Sequence, residues 1–367
     1  MRDIQKFETN FTDRILYLLP YDLDDKGGMT EITKMFYQVG LFDNKNIKHF
    51  NTFYKWGDLN LIKMLEAFIH QLNFIKILIL FRPKIIFVMT SAYIGFFDKC
   101  LYCFFARIFG VKSMLNQVGD FSNFYEDSII KAYFIRLFLK IPNVILVGST
   151  YWNNYFKKEF QSRNIISIVN PVVSELYYKS TNFKSDKIRI ITISSLITAK
   201  GIVELVAVIK RVCSISDKFV FVIMGRGEKL EWVRMELNGE INKGLVELKG
   251  QVTDEEKIAE FSFADIFILL SHNEVIPISM LEAMSASLPI IGTKVGGIPD
   301  IVVEGENGYL FDRMTIEPIV RRILKIGNEF SKEDLKLMGI NSNSIVKSKY
   351  DIIKVLEKHL DLAKNMF

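Results

Sequence analysis

Two carboxylates eight positions apart, Glu274 and Glu282, flank a proline in the sequence Glu274-Val275-Ile276-Pro277-Ile278-Ser279-Met280-Leu281-Glu282. The first follows the apolar run ADIFILLS (264–271), and the second lies within a helical pattern that opens near Pro277 and continues through Ala283 and Met284. Proline suits a first helical turn. Backbone N–H groups at 277–280 are then expected to lack helical acceptors and to face whatever lies above the strand end, which makes a site for a phosphate or a sugar hydroxyl. Glu274 can accept hydrogen bonds from sugar hydroxyls, and the two oxygens of Glu282 suit the paired 2′ and 3′ hydroxyls of a ribose. A glutamate inside an apolar helix is costly without a partner, which favours a ligand diol. The plainer alternative is that Glu274 caps the helix and Glu282 pairs with a lysine.

Strand-like runs and helical patterns alternate along the whole chain. In the first half the strands are RILYLLP (14–20), KIIFVMT (84–90), VKSMLNQV (111–118) and NVILVGS (143–149), with helical segments near 58–80, 92–109 and 127–140. The second half repeats the pattern with KIRIITISS (187–195), KFVFVIMG (218–225), LVELKG (245–250), ADIFILLS (264–271) and LPIIGT (288–293). Continuous apolar strands separated by helices imply parallel sheets covered on both faces, hence two doubly wound α/β domains. The polar stretch 180–187 is the expected linker. Ligands of such sheets bind at the carboxyl ends of the strands, where Glu274 falls.

The 367 residues, 49% hydrophobic and 24% charged, are too many for one ordinary core and too apolar for disorder. The net charge of +5 is unevenly placed: residues 1–180 hold 22 Lys/Arg against 16 Asp/Glu, and residues 181–367 hold 25 against 26. Of 30 phenylalanines, 21 precede residue 181. Basic and aromatic together suggest a membrane surface more than a nucleic acid, although a Phe-rich core with solvated lysines has the same composition. The longest run without Asp, Glu, Lys or Arg, 141–156, is too short and too polar to span a bilayer. MRDIQKFETNFTDR lacks the apolar region of a secretory signal, so export is not expected. Three cysteines, Cys100, Cys103 and Cys213, fit a reducing cytoplasm; Cys100 and Cys103 are expected to pack a helix rather than to form a redox pair or half a zinc site.

ADIFILLSHNEVIPISMLEAMSASLPIIGTKVGGIPDIVVEGENGYLF (264–311) resembles the donor-site block, with its E-x7-E signature, of the retaining glycosyltransferases of family four, the "group 1" family. The resemblance implies a GT-B fold, two Rossmann-like domains facing a central cleft: an acceptor-binding domain over 1–180, a nucleotide-sugar domain over 181–348, and a terminal helix over 349–367 packing back on the first. Ser194-Ser195-Leu196 with Lys200-Gly201 stands where the family has G-R-L and K-G, which implies that Lys200 binds the donor pyrophosphate. Lying after a strand and before a helix, it would combine its charge with the helix dipole. The plainer reading is a solvated lysine beside a C-capping glycine. Gly225 and Arg226 occupy the family's G-x-G turn, and Gly27 and Gly28 resemble its glycine loop between donor phosphates and acceptor, or are a simple turn. Ser195 replaces the arginine that usually shares the pyrophosphate, with Arg226 as a candidate substitute. Gln117 replaces the histidine of the H-G-x-x-F segment of polysaccharide-assembly members; glutamine can hydrogen-bond the sugar but cannot titrate.

The implied reaction is front-face transfer with retention, needing no enzyme nucleophile, no metal and no cofactor. A hexose would pass from a UDP- or GDP-sugar to a lipid-linked or oligosaccharide acceptor in cell-surface polysaccharide synthesis, at the cytoplasmic side of a bacterial membrane. The alternatives are a catalytically weak sugar-nucleotide-binding partner in an assembly complex, and an epimerase or hydrolase on the same fold. Two helical segments bear on the membrane: Phe97, Leu101, Phe104, Phe105 and Ile108 form one stripe near Lys99 and Arg107, and KAYFIRLFLK (131–140) mixes aromatics with cations. Each either covers a sheet or lies in a bilayer interface.

Overall fold

The computed structural model describes residues 4–22, 27–52, 61–91, 94–119, 121–160, 164–179 and 186–366. The chain divides into two compact units, Val172–Asp351 and Ile4–Pro171 with the C-terminal segment from Ile352. Most of the linker stretch 180–187, and Lys26 beside the glycine pair, lie outside the described residues.

The N-terminal unit carries β1 (Ile15–Leu19), β2 (Ile47–Asn51), β3 (Ile85–Thr90), β4 (Lys112–Gln117), β5 (Val144–Val147) and β6 (Ile165–Ser167). The C-terminal unit carries β7 (Ile188–Ile193), β8 (Phe219–Met224), β9 (Val246–Gly250), β10 (Ile266–Leu269), β11 (Ile290–Thr293) and β12 (Gly308–Phe311). Each set forms one six-stranded sheet, in the orders β2-β1-β3-β4-β5-β6 and β12-β11-β10-β7-β8-β9, with parallel pairing throughout. β1, β3, β5, β10 and β11 are buried at every position, as strands covered on both faces must be.

Nine strands fall where the apolar runs predict them. β2, β6 and β12 were not among the expected strands, and all three are edge strands. An edge needs less apolar sequence, and in IKHFN of β2 only Ile47 and Phe50 are buried, so no apolar run forms.

In the N-terminal unit the crossovers β2 to β3, β3 to β4 and β4 to β5 all step the same way across the sheet. Right-handed connections therefore place the helices Leu61–Phe81, Ile94–Ile108 and Ile129–Phe138 on one face. The C-terminal helix Ile352–Lys364 belongs to this unit, where the buried His359 ring packs 4.6 Å from Phe87 and 6.4 Å from Tyr17. Cys100 and Cys103 are buried in the helix Ile94–Ile108, and burial pushes the Cys103 thiol up to about 12. That makes it a packing group rather than a nucleophile.

Candidate functional site

In the C-terminal sheet, chain order reverses between β7 and β10: from β7 the strands run outward to β8 and β9, and from β10 to β11 and β12. The loops after the two strands at such a switch point diverge and leave a crevice above the sheet. Lys200 comes from the loop after β7 and Glu274 from the loop after β10. They meet with Lys200 Nζ donating to Glu274 Oε1 at 2.6 Å. Ser271 Oγ donates to the same oxygen at 2.8 Å, and Ser271's own carbonyl receives the Thr293 hydroxyl at 2.6 Å. The Ser271 hydroxyl thus holds the carboxylate, and Thr293 of β11 holds the Ser271 backbone. Below the pair, His272 N–H donates to the Ala199 carbonyl at 2.9 Å and the His272 ring meets Glu204 at 3.0 Å, so the two loops are tied through backbone and side chain.

Glycine makes this approach possible. Gly201 has φ of +69°, and a Cβ there would run into the Leu270 carbonyl. It ends the 3-10 turn Thr198–Lys200 and starts the helix Ile202–Cys213, so the capping-glycine reading of Lys200-Gly201 and the helix-start reading both hold. At Gly296, with φ of +50°, a Cβ would strike the Glu274 carbonyl. Nothing in the sequence reading had singled out Gly296, Ser271 or Thr293.

The helix after Glu274 spans Ile278–Ser285, with Pro277 as its N-cap at φ −69° and ψ 122° and without a side-chain cap. This corrects two expectations. Proline has no N–H, and the Met280 N–H donates back to the Pro277 carbonyl at 3.1 Å, so the N–H groups left to a ligand are those of Ile278 and Ser279 rather than 277–280. Glu274 does not cap the helix. Ile276 and Pro277 are buried behind this terminus, while Ile278 and Ser279 are partly exposed.

Glu282 is 4% exposed, and it has partners within the unit: Tyr177 OH donates to Oε1 at 2.6 Å and Lys257 Nζ at 2.8 Å. The premise that an unpartnered glutamate calls for a ligand diol is thereby corrected. Two donors on one oxygen hold the carboxylate rotamer. Neither Tyr177 nor Lys257 was legible as a site residue, because each is far from Glu282 in sequence.

Ser195 and Arg226 are both exposed, in the loops after β7 and β8. The loops touch through Leu196 N–H to the Arg226 carbonyl at 2.8 Å, and Gly225 N–H is bonded to the Gly250 carbonyl at 2.7 Å. Gln117, Gly27 and Gly28 belong to the other unit. Gln117, at the end of β4, is 4% exposed and donates through Nε2 to the Gly119 carbonyl at 3.2 Å. Gly27, exposed and extended, is the N-cap of the helix Gly28–Gln38.

Two parallel α/β units, one carrying a cation, a carboxylate and open N–H groups at its switch point, define the class: an α/β chain of GT-B fold. It superposes on sucrose-phosphate synthase from Thermosynechococcus elongatus with a TM-score of 0.77 over 97% of this chain and 99% of that one, at 16% identity. The Anabaena protein HepE, in complex with UDP and glucose, gives 0.73 over 96% and 100%, at 13% identity. Residues 173–337 match the family described as Glycosyl transferases group 1. Among curated proteins, the phosphatidylinositol N-acetylglucosaminyltransferase GPI3 subunit of Saccharomyces cerevisiae is 28% identical over 234 residues, which are 62% of this chain and 51% of the relative. The chain thus spans about half the length of that relative.

Proposed function

We propose that this chain is a retaining glycosyltransferase that moves a hexose from a UDP- or GDP-sugar to a lipid-linked or oligosaccharide acceptor in bacterial cell-surface polysaccharide synthesis. The observation that carries the reading is the Lys200–Glu274 pair at the switch point, beside the open N–H groups of Ile278 and Ser279. A diphosphate competes with Glu274 for the Lys200 ammonium, and the freed carboxylate accepts hydroxyls of the donor sugar. As the glycosidic bond breaks, charge grows on the diphosphate, and the lysine and helix terminus stabilise it where it forms. Glu282, with Oε1 already bonded, offers Oε2 to the ribose. Gln117 hydrogen-bonds the donor sugar, Arg226 supplements the charge absent at Ser195, and Gly27 and Gly28 border the acceptor.

UDP as the nucleotide is supported by the HepE complex, and a lipid acceptor by the similarity to the yeast phosphatidylinositol N-acetylglucosaminyltransferase subunit. No helix among the described residues is long and apolar enough to cross a membrane. The test is incubation of purified protein with UDP- and GDP-sugars and lipid-linked acceptor, with the anomeric configuration of the product read by NMR; retention is expected. The exposed Ser195 favours one rival, a sugar-nucleotide-binding partner. Tight nucleotide binding without turnover across the donor panel would decide for it.

A further inference from the structure

Helices that cover a sheet turn their apolar stripe inward, and the helix Ile129–Phe138 does the reverse. Ile129, Ile130 and Tyr133 are 91%, 72% and 66% exposed, Phe134 and Leu137 are also exposed, and Ile135 is the helix's buried residue. Its neighbour Ile94–Ile108 buries Phe96, Cys100, Cys103 and Ala106, and presents Leu101, Phe104 and Ile108 to solvent. Of the stripe noted in the sequence, Leu101, Phe104 and Ile108 thus face outward, whereas Phe97 and Phe105 are half-buried and Phe97 packs against Phe124 and Phe138. Leu61–Phe81, on the same face of the sheet, exposes Leu65, Phe68, Leu72 and Leu80, a stripe the sequence reading had not marked. Apolar side chains exposed along three adjacent helices, rimmed by polar residues, mark an interaction surface.

Cations border the stripes. Lys76, Arg107, Arg136 and Lys140 are exposed, against the exposed carboxylates of Glu66, Glu126 and Asp127, the last paired with Lys131; Lys99, expected beside the stripe, is instead buried against Asp98. Apolar side chains flanked by long cationic ones fit a bilayer interface, where the chains enter the acyl boundary and the cations reach lipid phosphates.

We propose that this face is a docking surface for an anionic lipid bilayer. It deepens the reading of a lipid-carried acceptor and is separable from it, because vesicle binding needs no glycosyl transfer. The full chain is expected to co-sediment with phosphatidylglycerol-containing vesicles and much less with phosphatidylcholine alone. The triple variant I129S/I130S/Y133S changes exposed positions only, and should lower the partition coefficient at least about tenfold while leaving nucleotide binding unchanged. R136E/K140E should abolish the preference for anionic lipid. Equal binding by the triple variant would overturn the proposal. So would failure of the native chain to bind, or sedimentation velocity showing a dimer that the triple variant breaks without any vesicle binding. Loss of transfer to a soluble acceptor with vesicle binding intact would count against the transferase reading alone.

Discussion

Lys200 and Glu274 are bonded to each other, and their separate roles follow from what each meets when a donor arrives. Lys200→Ala removes the cation that faces the developing diphosphate charge; donor turnover is expected to fall by about 10²–10³. Glu274→Gln keeps the shape and loses the charge, and a smaller loss is expected, with steady-state kinetics on the preferred donor checking the order. At Glu282 the pairing allows a stability test. Lys257→Met leaves the buried carboxylate one donor short and should cost about 3 kcal/mol in chemical denaturation, whereas Lys257→Met with Glu282→Met should recover most of it. If the double variant is as unstable as the single one, the ion pair is not what the site depends on. Glu274 was legible in the sequence because it follows an apolar strand and precedes a helical pattern, and Lys200 because Lys200-Gly201 stands where the resembled family has K-G. Tyr177, Lys257, Ser271 and Thr293 were not, since their roles arise from contacts that only the folded sheet creates.

The same division holds for elements. The three strands missed, β2, β6 and β12, all lie at sheet edges, where part of the strand answers to solvent; the fourth edge strand, β9, was legible from LVELKG. Turn glycines separate in the same way. Gly225 directly follows β8 and Gly201 directly precedes a helix, so both could be noted, but that Gly201 presses on Leu270 depends on the crossing of two loops. Gly201→Ala is expected to cost about 2–4 kcal/mol and to weaken nucleotide binding with it, since the strained loop carries Lys200; a thermal melt and a nucleotide titration on one sample check both. The C-terminal helix supplies a pH test. Burial holds the His359 imidazole down to about 3, below its ordinary 6.5, and no hydrogen bond reaches either ring nitrogen among the described residues. The unfolded chain therefore binds a proton that the folded chain refuses. Stability is full above about pH 6.5 and falls as pH drops toward 3, by about 2 kcal/mol between pH 6.5 and 5. His359→Phe should flatten that part of the profile, and an unchanged slope would assign the acid sensitivity elsewhere.

For the whole molecule, the two units differ in composition and in what their surfaces carry. The C-terminal unit carries the family match over residues 173–337 and the polar site at its switch point; the N-terminal unit carries the basic excess and the outward apolar helices. Composition showed that asymmetry but not its cause, because 21 phenylalanines could have filled a core. The structure puts Phe36, Phe74, Phe87 and Phe96 in the interior and Phe68, Phe104 and Phe134 outside. The donor reading rests on the C-terminal unit, and calorimetric titration of UDP and GDP into the native chain and into Lys200→Ala tests it most directly. One nucleoside diphosphate should bind in a one-to-one complex, and the substitution should weaken it at least about tenfold. Binding of equal strength in the variant, or none by the native chain, would contradict the assignment of Lys200 and its switch-point crevice as the diphosphate site.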